Sequence, residues 1–143
     1  MKVAMVGSRK WDDWQKIQKV IERLNNTNFD TPLTIISGGS RKGADKMVRW
    51  SMINLENFKS IPYVEYAPKF HEYNEHCAHD KEYYGEEYNV KHYFNRNTEI
   101  AESCDILFAF VPEYEMQDGG KARGVKDVLD KAKKLNKKTK IIT

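Results

Sequence analysis

The chain has 143 residues, of which 40% are hydrophobic and 31% charged, and its formal net charge is +3. That length and balance describe one globular unit with a core of its own and exclude a disordered chain. No apolar run approaches a membrane span, so no membrane partner is expected.

Much of the basic excess lies in Lys131, Lys133, Lys134, Lys137, Lys138 and Lys140. No aromatic residues interleave with these lysines as a stacking platform for nucleic acid would require, so the run reads as a solvated helix face. The first residues, Met1-Lys2-Val3-Ala4-Met5-Val6, enter a strand at once, which is the reading of a cytoplasmic chain without a signal peptide. Cys77 and Cys104 are far apart in sequence and fit a reduced compartment.

In chain order, Val3 to Val6 is a buried strand emptying into Gly7-Ser8-Arg9. Asp12 or Asp13 caps a helix in which Trp14, Ile17, Ile21 and Leu24 recur at helical spacing. Leu33 to Ile36 is a second strand, Ala44 to Leu55 a helix, and Tyr63 to Tyr66 a third strand stopped at Pro68. Between Pro68 and Asn95 the periodicity is lost, and a connection this long reads as a lid or as hiding a helix. Tyr83, Tyr84 and Tyr88 are expected on one packed helical face. Helical order returns at Asn97 to Ser103, followed by the most apolar strand, Asp105 to Val111, and a loop from Pro112 to Gly120. A helix with Val125, Val128, Leu129 and Ala132 on its buried stripe, then a strand at Lys140 to Ile142, complete the chain.

Strands that are apolar runs alternating with helices imply the α/β class: a single doubly wound, mainly parallel five-stranded sheet, Rossmann-like, of order 3-2-1-4-5 with helices on both faces. The whole of 1–143 is then one domain, with a lid-like segment at 68–95. Such sheets bind ligands beyond the carboxyl ends of their strands, at the topological switch point. The exits of the first, second and fourth strands would converge there.

The second exit is the glycine-rich stretch Ser37-Gly38-Gly39-Ser40-Arg41-Lys42-Gly43-Ala44-Asp45. Its glycines let amides face an anion at a helix start, and Arg41 and Lys42 add charge. Its spacing fits neither the dinucleotide nor the P-loop pattern. Gly119-Gly120-Lys121-Ala122-Arg123-Gly124 repeats the same physical logic at the fourth exit, with Lys121 or Arg123 placed to close over a phosphate. Arg96 could be a bidentate phosphate ligand, and Asn97 the cap of its helix. His71, His76, His79, His92 and Cys77 crowd the irregular segment, but neither zinc-ribbon nor HExxH spacing is present, so neither metal nor cofactor is expected. Asp45, Glu113 and Asp118 are acids available for turnover, which the residues leave open.

Val6-Gly7-Ser8-Arg9 with Trp11, Ile36-Ser37-Gly38-Gly39 with Gly43-Ala44-Asp45, Arg96-Asn97, Asp105 before an apolar strand, and Gly119-Gly120 together resemble the SLOG superfamily, nearest its small YspA/YpsA-like proteins. The likeness covers nearly the whole chain. It implies a Rossmann-like domain that binds a nucleotide or nucleotide-derived molecule as sensor, carrier or sequestering protein, commonly as a homodimer. Carried over, the binding residues would be Gly7, Ser8, Arg9, Ser37, Gly38, Gly39, Lys42, Gly43, Asp45, Arg96, Asn97, Gly119, Gly120 and Lys121. The LOG phosphoribohydrolases of the superfamily place a catalytic glutamate after their late glycine loop. Here that loop runs on to Lys126 with no acid in its place. Hydrolysis or transfer at an N-glycosidic or phosphate bond is therefore the second reading, and DprA-like single-stranded nucleic-acid binding the third.

Overall fold

The computed structural model describes residues 1–117 and 123–143. Five strands, β1 (Lys2–Gly7), β2 (Thr34–Ser37), β3 (Tyr63–Glu65), β4 (Ile106–Phe110) and β5 (Lys138–Ile142), form one sheet of order β3-β2-β1-β4-β5. Every pairing is parallel, with β1 central between β2 and β4. The expected α/β architecture and strand order are therefore those observed. Among the described residues no helix is long and apolar enough to cross a membrane.

Alternation along β1 divides the core. Val3 and Met5 point to one face, where α1 (Trp14–Asn25) and α2 (Gly43–Asn54) bury Ile17, Ile21, Met47 and Val48. Ala4 and Val6 point to the other, against Ile100 and Ala101 of α3 (Lys91–Ser103) and Val125, Val128 and Leu129 of α5 (Arg123–Lys134). Each fully buried Val, Ile, Leu or Met side chain among them contributes roughly 1.5–3 kcal/mol. Because α1 and α2 follow β1 and β2 on one face while α5 follows β4 on the other, the chain reverses its winding between β1 and β4. That is where a crevice must open.

Asp13 caps α1 through Lys16 N, as expected of Asp12 or Asp13. Three local expectations are corrected. The helix placed at Asn97 begins six residues earlier at Lys91, behind a Val90 that offers no side-chain cap. Within the loop expected from Pro112 to Gly120 lies a short helix α4 (Glu113–Gln117). Tyr83, Tyr84 and Tyr88 share no helical face: Tyr83 ends a single 3-10 turn, and exposed Tyr88 lies edge-on to Phe70.

The segment after β3 is tied down through Glu65. Its amide donates to His76 O at 2.7 Å, and its carbonyl accepts from Ala78 N at 2.8 Å. Its fully buried carboxylate takes both forks of Arg49, at 2.5 and 2.8 Å, with Tyr63 OH at 2.5 Å and Asn74 Nδ2 at 3.0 Å. Burial alone would raise the pKa of Glu65, but the bonds from Arg49, Tyr63 and Asn74 outweigh it and hold the carboxyl below its usual value.

Candidate functional site

A cavity of about 500 Å³ lies in the crevice between the exits of β1 and β4. The β1 exit contributes Gly7, Ser8, Arg9 and Lys10; the turn after β2 contributes Gly38, Ser40 and Asp45. Val90 precedes α3, which contributes Tyr93, Phe94, Arg96, Asn97 and Ile100, while Glu115, Arg123 and the first turn of α5 form the remaining wall. Four basic side chains thus line it against two acidic ones. Beside them Ile100, Val125 and Val128 make an apolar wall.

Local geometry explains the polar wall. Ser8 is buried, donates its hydroxyl to Glu115 Oε1 and accepts from Lys10 N at 3.0 Å, so it joins α4 to the β1 exit. Arg96 donates Nη1 to Gly38 O and Nε to Asn97 Oδ1 at 2.9 Å. Asn97 in turn donates to Gly124 O and Asp127 Oδ2, both at 3.2 Å. Asp45 sits in the first turn of α2, where Ser40 N donates to its Oδ2 at 3.1 Å. Burial, the strongest influence, lifts its pKa from 3.8 to about 6, although Arg96 pulls the other way.

Gly38 is a glycine for a reason the motif alone does not give. A Cβ there would stand 2.8 Å from Asp45 Oδ2 and 3.0 Å from Arg96 Cζ, so the carboxylate and the guanidinium close over a bare Cα. Gly43, at φ +63°, has the β1 exit packed on it: a Cβ would stand 2.5 Å from the carbonyl carbon of Arg9.

Of the expected residues, Gly7, Ser8, Arg9, Gly38, Asp45, Arg96 and Asn97 meet in this cavity. Asn97 is not a cap; it lies mid-helix and ties α3 to α5. Ser37 is fully buried at the end of β2 and does not line the cavity. Gly39 faces a second recess of about 300 Å³ with Arg41, Arg49 and His71. Lys42 is exposed at the start of α2 and lines neither recess. Gly119, Gly120 and Lys121, with Asp118, lie outside the described residues. Of the irregular segment, Val90, Tyr93 and Phe94 reach the cavity, whereas His71 to Asn74 line the second recess. Among the described residues no group of three or more His, Cys, Asp or Glu side chains is placed to hold a metal.

Lys10, Tyr93, Phe94 and Glu115 were missed. The signal for one of them was present: Tyr93 stands at helical spacing with Arg96, Asn97 and Ile100, and all four face the cavity. Glu115 had none, because its helix is short and its partner Ser8 is distant in sequence.

A model of YAcAr, the YspA, cpYpsA-related SLOG family, matches residues 1–73, which carry β1 to β3, Gly7-Ser8-Arg9 and the glycine-rich turn. The chain belongs to this SLOG family. Comparison with curated proteins and with solved structures gives no match. Family and fold together make it a Rossmann-like α/β protein of the SLOG family, which suggests a nucleotide-related role.

Proposed function

We propose that this SLOG protein binds a nucleotide or nucleotide-derived small molecule in the crevice between β1 and β4, as a sensor, carrier or sequestering protein. The observation that carries this reading is the composition of the 500 Å³ cavity, with a basic excess beside an apolar wall at the switch point of a parallel sheet. Such a site suits a ligand with an anionic end and a flat, poorly hydrated one. The test is native mass spectrometry of the purified protein, followed by denaturation and identification of any released molecule, with thermal shifts against a panel of nucleotides. A released nucleotide, or a shift specific to one, is expected. An empty protein that no nucleotide stabilises overturns the reading.

Asp45 favours a second reading, turnover of that ligand at its N-glycosidic or phosphate bond. A cavity carboxyl that titrates near 6 is suited to proton transfer close to neutral pH. Release of free base or phosphate from a nucleoside monophosphate panel, lost in Asp45→Asn, is the expected outcome. Release unchanged in that variant removes Asp45 from the chemistry.

A further inference from the structure

The glycine-rich turn after β2 is where sequence logic puts a phosphate, yet a carboxylate already stands there. Ser40 N donates to Asp45 Oδ2, and Ala44 N donates to the Ser8 carbonyl at 3.1 Å, so two of the turn's amides are engaged within the chain. A phosphate set beside a buried carboxylate would meet like charge in a low dielectric. Of the two cations expected to attract it, Lys42 and Arg41, neither lines any part of the cavity, and Arg41 faces the second recess.

The wall formed by the β1 exit and α3, which meets that turn where Arg96 reaches Gly38 O, is arranged differently. Arg9 from the β1 exit and Arg96 from α3 both lie against the ring of Tyr93, with Cζ atoms 5.4 and 5.7 Å from its centroid. Arg9 Nη2 also donates to Tyr93 OH at 2.9 Å. Arg96 is anchored to the turn through Nη1 on Gly38 O and to its own helix through Nε on Asn97 Oδ1, and its Nη2 has no partner among the described residues. Two guanidinium groups from separate elements are thus held on one aromatic ring at a cavity wall. Burial first, and the nearby charge of Arg9 as well, lower the pKa of Arg96, against Asp45 and Tyr93. An anion placed between the two arginines removes that repulsion and gains paired charge-assisted bonds.

We propose that the phosphate or diphosphate of the ligand is seated by Arg9 and Arg96 at Tyr93, not on the glycine-rich turn, and that Tyr93 is the positioning residue that presents the two forks. The inference rests on the nucleotide-binding reading above and locates the anionic end within it.

Inorganic pyrophosphate, titrated into the full chain and followed by phosphorus NMR line width, probes the seat without a base. Arg9→Gln is expected to weaken pyrophosphate about tenfold, the size of one charge-assisted contact. Tyr93→Phe keeps the ring and loses the hydroxyl, and is expected to weaken it several-fold; Tyr93→Leu should lose more. Lys42→Gln should leave it unchanged. Should the leucine variant fail to fold, the glutamine and phenylalanine variants decide alone. Binding of an uncharged nucleoside, which a general loss of structure would also impair, should survive in both. Weakening by Lys42→Gln but not by Arg9→Gln or Tyr93→Phe overturns the seat in favour of the turn. Nucleotide binding without pyrophosphate binding, indifferent to Arg9→Gln, overturns the seat and leaves the binding reading standing. Binding of neither overturns both.

Discussion

A guanidinium and a carboxylate close over Gly38, and the consequence is specific to one missing carbon. The Cβ of Gly38→Ala would stand 2.8 Å from Asp45 Oδ2, inside the distance real Cβ atoms keep, so either Asp45 or Arg96 must move. The expected cost is about 1–3 kcal/mol, read as a lower denaturation midpoint, together with weaker ligand binding because Arg96 loses its anchor on the Gly38 carbonyl. An alanine variant as stable as the parent would show that the pair does not pack there. Glu65 carries a larger stake. Its carboxylate is wholly enclosed, and removing it in Glu65→Ala strands the Arg49 fork, the Tyr63 hydroxyl and the Asn74 amide together. A loss of about 3–5 kcal/mol is expected in chemical denaturation, with Glu65→Gln retaining part of it. The sequence hints at none of this, since a glutamate between Val64 and Tyr66 looks like the solvent-facing member of an alternating strand.

Among the elements, α3 does most to build the cavity and was the hardest to read. Its second half, with Ile100 and Ala101 against the sheet, was legible from apolar spacing; its first turns are polar and aromatic, begin without a cap and carry no acid, so nothing marked their start. The inner strands β1, β2 and β4 were legible because burial on both faces makes each an apolar run, and the order observed is the one that the Rossmann-like reading carries. The site was legible where it lies at strand exits, as with Gly7-Ser8-Arg9 and Gly38, and harder to read where a helix face supplies it, since the spacing that includes Tyr93 lies in first turns with neither cap nor acid. The same geometry makes α3 a vulnerable element. Ile100 is fully buried and forms part of the apolar cavity wall, and Ile100→Ala should cost about 2–5 kcal/mol. Because Arg96 and Tyr93 ride on the same helix, ligand affinity should fall with it, and a calorimetric titration that finds affinity intact would uncouple packing of α3 from the site.

Across the whole molecule, two partly or fully buried groups on opposite sides of the glycine-rich turn pull the pH dependence of stability in opposite directions. Burial lifts Asp45 from 3.8 to about 6. The folded chain therefore holds a proton that the unfolded chain releases, and the stability this contributes is present at acid pH and lost as pH rises through about 6, a swing of roughly 3 kcal/mol. His71 runs the other way: burial first, then the charges of Arg96, Arg41 and Arg49, hold its imidazole down from 6.5 to about 4. Its contribution is present above 6.5 and lost as pH falls toward 4. Over the shared window the two offset, so the urea midpoint of the native sequence should change little between pH 4.5 and 6.5. Asp45→Asn keeps the shape and removes one titration, leaving His71 unopposed, and its midpoint should fall steadily on acidification across that window. His71→Asn should give the mirror image, with stability falling as pH rises. An Asp45→Asn profile parallel to that of the native sequence would show that Asp45 does not titrate there, and with it would go the argument that a neutral-pH proton-transfer group faces the cavity.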